Sequence, residues 1–98
     1  MIMQMFNPPH PGETLKELYL EPLELGIKGT AEKMSMTRTA LSEIVNCRRS
    51  ITPKVAIKLA KAFGGTAQSW INQQANYDLW QAQQKYTADD VEEIYHVA

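Results

Sequence analysis

The polar side chains within MTRTALSEIVNCRRSITPK, residues 36–54, are spaced for one kind of chemistry. On a helix turning about 100° per residue, Arg38, Ser42, Asn46, Thr39 and Glu43 share an arc of about 140°. Ala40, Ile44, Leu41 and Val45 fill the opposite side, so one face is core and the other only forms hydrogen bonds. A guanidinium fork, two hydroxyls and a carboxylate suit base edges in a major groove: Arg pairs with guanine, Thr touches a thymine methyl, Glu accepts from cytosine. The expected base contacts are Arg38, Thr39, Ser42 and Glu43. Lys28, Thr30, Thr37, Asn46, Arg48, Arg49 and Lys54 flank them as expected phosphate contacts, which set register without reading sequence.

Charge is distributed to match. The chain has 98 residues and a net charge of -1, yet residues 28–61 hold eight basic against two acidic side chains, a local +6 that leaves -7 elsewhere. A basic block on an otherwise acidic protein is the electrostatic footprint of a module that binds polyanions.

Capping chemistry places the elements that carry these residues. HPGETLKELYLEPL reads as a first helix, with Pro11 ahead of an acidic turn and Leu15, Leu18 and Tyr19 at core spacing, ended or distorted at Pro22. Thr30 is the expected N-cap of a second, short helix over residues 30–34, in which Ala31 sits where two helices must approach closely. Thr37 caps a third over residues 38–46. The short turn between the two makes a helix-turn-helix. TPKVAIKLAKAFGG has Thr52 as N-cap, Pro53 at the first helical position and Gly64-Gly65 as the stop, and a fifth helix follows the cap at Thr66. A further weak element starts from the turn at residues 87–90 and runs through VEEIYHV. The reading is an all-α, five-helix fold over residues 1–84, with residues 85–98 an acidic tail or short helix.

Other chemistry has little to work with. His10 and His96 lie at opposite ends, Cys47 is alone, and no acid pair or His/Cys set has metal-ligand spacing, so neither catalysis nor a metal or cofactor is expected. His10 is expected to pack or hydrogen-bond around the first turn, and Cys47 to be a semi-buried loop residue. The start has no basic stretch and its apolar run is too short for a signal peptide, and no apolar stretch approaches a membrane span, which implies a cytoplasmic protein. The fifth helix carries two apolar arcs, one of them Trp70, Tyr77 and Trp80, separated mainly by uncharged Gln, Asn and Ser. Aromatic enrichment with charge depletion marks an interface, so Trp70, Tyr77 and Trp80 are candidates for a homodimer seam, although Trp70 also suits the core. A symmetric dimer would set two reading helices about 34 Å apart, matching a palindromic DNA site.

The stretches PPHPGETLKELYLEPLELG, GTAEKMSMTRTALSEIVN and ITPKVAIKLAKAFGGTAQSWINQQANYDLW resemble the HigA-type antitoxins, also known as the virulence-associated protein I family. That family lies within the lambda-repressor-like, XRE-type helix-turn-helix superfamily, and the resemblance covers roughly residues 8–80. It implies an antitoxin that neutralises a HigB-type toxin, similar to RelE-like mRNA endonucleases, and that represses its own operon as a dimer on a palindromic double-stranded operator. Ser35 and Cys47 stand where relatives often have Gly, at a cost on the order of 1 kcal/mol each if the backbone there is left-handed. A phage-type repressor without a toxin partner is the alternative. A third reading is an interaction module that uses its acidic ends to hold a basic partner.

Overall fold

A computed structural model describes residues 7–95, which form five α-helices and no strand. Helix α1, Pro11–Leu15, begins where His10 caps it: the imidazole Nδ1 accepts the Gly12 N–H at 2.9 Å. Pro11 takes the first helical position, where no N–H is needed. The helix then widens into a π-helical turn, Lys16–Leu20, in which the Glu21 N–H reaches the Lys16 carbonyl at 2.9 Å. Pro22 explains the widening, since it has no N–H to return and its ring crowds the carbonyl four residues back. The extra residue per turn shifts the helix phase. Leu18, expected in the core, is therefore 63% exposed, and Leu20 is buried in its place.

Helix α2, Ile27–Lys33, starts after Gly26 with no side-chain cap. Thr30 lies inside it and is buried, so it is not the N-cap; Ile27 packs against the core and draws the helix one turn further back. The other caps follow the capping chemistry of the sequence. Helix α3, Arg38–Val45, is capped by Thr37, whose Oγ1 accepts the Ala40 N–H at 3.0 Å. Helix α4, Pro53–Phe63, is capped by Thr52 and stopped at Gly64, whose φ of 96° suits glycine. Helix α5, Ala67–Lys85, opens on a reciprocal box between Thr66 and Ser69. Beyond it the Tyr86 hydroxyl donates to Asp90 and the Val91 N–H to the Ala88 carbonyl, but residues 86–95 form no helix. The remainder of the expected VEEIYHV element lies outside the described residues. No helix among the described residues is long and apolar enough to cross a membrane.

Leu15, Leu20, Ala31, Met34, Leu41, Ile44, Leu59 and Trp70 form a single core. Its tightest contact is backbone on backbone. A Cβ built on Gly12 would lie 1.7 Å from the Ile44 carbonyl oxygen, so α1 meets the C-terminal turn of α3 at a distance only glycine permits. The Thr14 hydroxyl then donates to Gln73 Oε1 at 2.8 Å, tying α1 to α5. Gly29, by contrast, sits in α2 with nothing within 4 Å of an added Cβ. Gly12→Ala is expected to destabilise the fold by at least about 1–3 kcal/mol through forced separation of the helices. Gly29→Ala should stabilise it by about 0.5–1 kcal/mol through helix propensity. Paired urea unfolding curves check both, and equal responses would show that the two glycines have the same role.

Candidate nucleic-acid interface

Leu41 and Ile44 bury one face of α3 almost completely. The opposite face is therefore held outward, with Arg38, Thr39 and Asn46 exposed and Ser42 and Glu43 half-buried. Arg38, Thr39, Ser42 and Glu43 line one shallow depression together with Ile27 and Lys28 of α2. The four expected base contacts and one expected phosphate contact are thus brought to a single surface. Arg48, Arg49 and Lys54 are exposed beside the same helix-turn-helix. Thr30 is 7% exposed within α2 and borders a separate depression with Gly26, Gly29 and Lys33. Thr37 is occupied as the α3 cap, and the Asn46 amide folds back to the Ser42 carbonyl at 2.9 Å, closing the far end of the helix.

The turns that aim this surface share one construction. After α2, the Met36 N–H bonds to the Ala31 carbonyl and the Ser35 N–H to that of Glu32, with Ser35 at φ 55°. After α3, the Arg48 N–H bonds to the Glu43 carbonyl and the Cys47 N–H to that of Ile44, with Cys47 at φ 62°. Both are Schellman closures, in which the left-handed position ordinarily falls to glycine. Glu24, at φ 55°, closes the first helical segment the same way. Ser35 and Cys47 do require the left-handed backbone that their sequence positions suggested. Lys58 of α4 braces the first turn by donating from Nζ to the Ser35 carbonyl at 2.7 Å.

Two residues that sequence reasoning missed hold the loop after α3. Gln74, 5% exposed on α5, accepts the Ile51 N–H at 2.9 Å and donates to Asp78. A polar residue four positions after Trp70, on the stripe that faces the core, was the available signal. Gly12 is the other, through its contact with the Ile44 carbonyl. Arg49 returns over the helix and donates from Nε to Glu43 Oε1 at 2.8 Å, with Nη2 at 2.6 Å from the same oxygen.

Trp70 is 4% exposed and belongs to the core, where it packs beside Tyr19; it therefore has no side-chain surface to offer a dimer seam. Tyr77 is half-buried and meets the edge of His10 with ring centres 4.9 Å apart. Trp80 is half-buried in an apolar groove with Pro8, Pro9 and Leu79. Cys47 is exposed rather than semi-buried. Desolvation of its sulfur, then the Glu13 carboxylate, push the thiol above its ordinary range, which opposes formation of a nucleophilic thiolate. No group of three His, Cys, Asp or Glu that could hold a metal occurs among the described residues.

Comparison with known proteins agrees with this geometry. The profile of the helix-turn-helix family matches residues 15–70. The chain is 58% identical over 77 residues to virulence-associated protein A of Dichelobacter nodosus, covering 78% of this chain and 76% of that one. It is 41% identical over 75 residues to antitoxin HigA-1 of Vibrio cholerae, covering 76% and 70%. The solved structure of Pseudomonas aeruginosa antitoxin HigA with the higBA promoter superimposes with a TM-score of 0.80 at 28% identity, over 90% of this chain and 99% of that one.

His10 supports the loop that carries the two arginines and must be neutral at Nδ1 to cap α1. Desolvation by burial holds the imidazole below its ordinary range, while Asp78, the Arg49 backbone carbonyl and Glu13 pull it partly back. The folded protein binds this proton less readily than the unfolded chain. The stability His10 contributes is thus complete above the ordinary histidine value of about 6.5 and is lost as pH falls through the lowered folded value. Denaturant midpoints measured from pH 7.5 to 5 should fall in the wild type and flatten in His10→Asn, which keeps a capping oxygen but has no proton to gain. An unchanged slope in the variant would assign the pH dependence to another group.

Proposed function

The chain belongs to the helix-turn-helix family and, within it, to the HigA-like antitoxins, and on that premise we propose that it binds its own operator and neutralises a HigB-type, RelE-like toxin. The observation that carries the DNA reading is the depression on α3. Arg38, Thr39, Ser42 and Glu43 meet there on a helix whose reverse side is core. In a major groove Arg38 would pair with guanine, Thr39 would contact a thymine methyl and Glu43 would accept from cytosine. Lys28 lines the same depression, and exposed Arg48 after α3 and Lys54 near the start of α4 add positive charge suited to phosphates. The promoter complex of the P. aeruginosa relative supports the same use of the fold. The toxin reading rests on kinship with the named antitoxin and on the -7 carried outside residues 28–61, which suits a basic RNA-cleaving partner.

The DNA-bound form is a dimer joined through the outer half of α5. Leu79 there is 58% exposed beside Trp80, and Asp78 and Lys85 are the only charges on the helix. Charge depletion around exposed apolar groups fits a seam between two copies. Two copies would present two α3 helices to successive half-sites about one DNA turn, roughly 34 Å, apart.

Arg38→Ala should lose about 1–3 kcal/mol on the operator and relax base preference, whereas Lys54→Ala should weaken all sequences alike and reduce the salt slope by about one. Equal loss on operator and random duplex for Arg38→Ala would remove its base-reading role. Leu79→Asp, at an exposed position, should shift the protein toward monomer in sedimentation and weaken operator binding through loss of the linked second half-site. An unchanged dimer would place the seam elsewhere. The whole reading is tested in cells with the double variant Arg38→Ala, Arg48→Ala, which should lose repression of a promoter reporter yet still protect growth under induced toxin. Repression by the wild type without protection would leave a phage-type repressor, and loss of protection in a folded double variant would place the toxin on the basic face.

A further inference from the structure

Glu43 is the one acid on the reading face of α3, and a carboxylate is poorly suited to the surface of a polyanion. The structure shows how that conflict is met. The Schellman closure at Cys47 bonds the Arg48 N–H to the Glu43 carbonyl at 2.8 Å and turns the chain back, so that the next residue, Arg49, lies over the Glu43 side chain. Both Arg49 donors converge on Oε1, at 2.8 and 2.6 Å, and no hydrogen bond to Oε2 is made among the described residues. Arg48 forms no ion pair among the described residues.

We propose that Arg49 is a positioning residue for sequence recognition and not a phosphate contact: it fixes and charge-compensates Glu43 so that Oε2 accepts from a cytosine amino group. The inference rests on the operator-binding reading and assigns one base preference to one side-chain pair. Two physical effects support it. An unrestrained Glu spreads its acceptor over several rotamers, and holding one oxygen biases that spread toward one orientation before DNA arrives. The guanidinium also cancels the local negative charge that phosphates would repel, and it does so from a loop anchored to the reading helix itself. Arg48 is then the member of the pair left free for the backbone.

Selection by the wild-type protein from a library of randomised duplexes identifies the preferred site, and salt-dependent binding of variants to that site and its single-base changes tests the assignment. Glu43→Gln should lose a preference for cytosine at one position, by about tenfold or more. Arg49→Ala should lose the same preference at the same position several-fold, with the salt slope unchanged. Arg49→Lys, which keeps the charge but not the fork, should also lose part of it. Arg48→Ala should keep the preference and reduce the slope by about one. A reduced slope with intact preference in Arg49→Ala would make Arg49 a phosphate contact and overturn the proposal. If the wild type enriches no sequence, the operator reading itself fails, and that result is distinct because it precedes any variant.

Discussion

The contact between Gly12 and the Ile44 carbonyl sets the position of α3, and most of the interface follows from it. The space left by a missing side chain lets α1 meet the last turn of α3 backbone to backbone. The same Ile44 oxygen accepts the Cys47 N–H at 3.0 Å, so the carbonyl that α1 packs on also closes the turn leading to the arginine pair. His10, two residues before Gly12, caps α1 and touches Tyr77 of α5. Moving α1 outward by the width of a methyl group would disturb the core, the turn and the loop together, because close-packed interiors transmit such shifts.

Three helical segments end in left-handed residues that are not glycine, at Glu24, Ser35 and Cys47. Each strains the backbone by roughly 1 kcal/mol relative to glycine, a sizeable share of the stability expected of a small domain. What compensates is the fit of the turns. Each makes both closing hydrogen bonds, and Lys58 adds a charge-assisted one to the Ser35 carbonyl. A side chain at these positions also narrows the conformations open to the unfolded chain, whereas glycine would widen them. The turns that aim α3 are therefore held by their closing hydrogen bonds.

What could be read from the sequence was local. Thr37, Thr52 and Thr66 cap their helices because the side-chain oxygen and the N–H it satisfies lie three residues apart, and Gly64 stops α4 for an equally local reason. The polar arc of α3 was legible for the same cause: helical period and residue type alone define it. Tertiary contacts decided the rest. The start of α2 follows the packing of Ile27 against the core, so Thr30 lies buried within the helix and not at its cap. Leu18 and Leu20 exchanged places because a π turn changes the period on which core spacing is counted. Gln74, Lys58 and the Glu43–Arg49 pair join residues far apart in sequence or across a turn, where spacing carries no information.

Charge acts on this surface over two ranges, and the fold keeps them separate. The excess of basic residues over 28–61 makes a field that extends about a Debye length, some 10 Å at ordinary salt, and it falls in strength as salt rises. It can gather a polyanion but cannot tell one sequence from another. In the proposed reading the depression on α3 would work at hydrogen-bond distance, where the salt of the solution matters far less and the placement of each atom decides the outcome. Its geometry is set from beneath by Leu41 and Ile44, both essentially buried, and from the side by a loop hung on Gln74. An exposed ion pair such as Glu43 with Arg49 contributes little to folding stability, on the order of 0–1 kcal/mol. Under the proposal its value would lie in orientation, which a reading surface needs once the field has brought its target close.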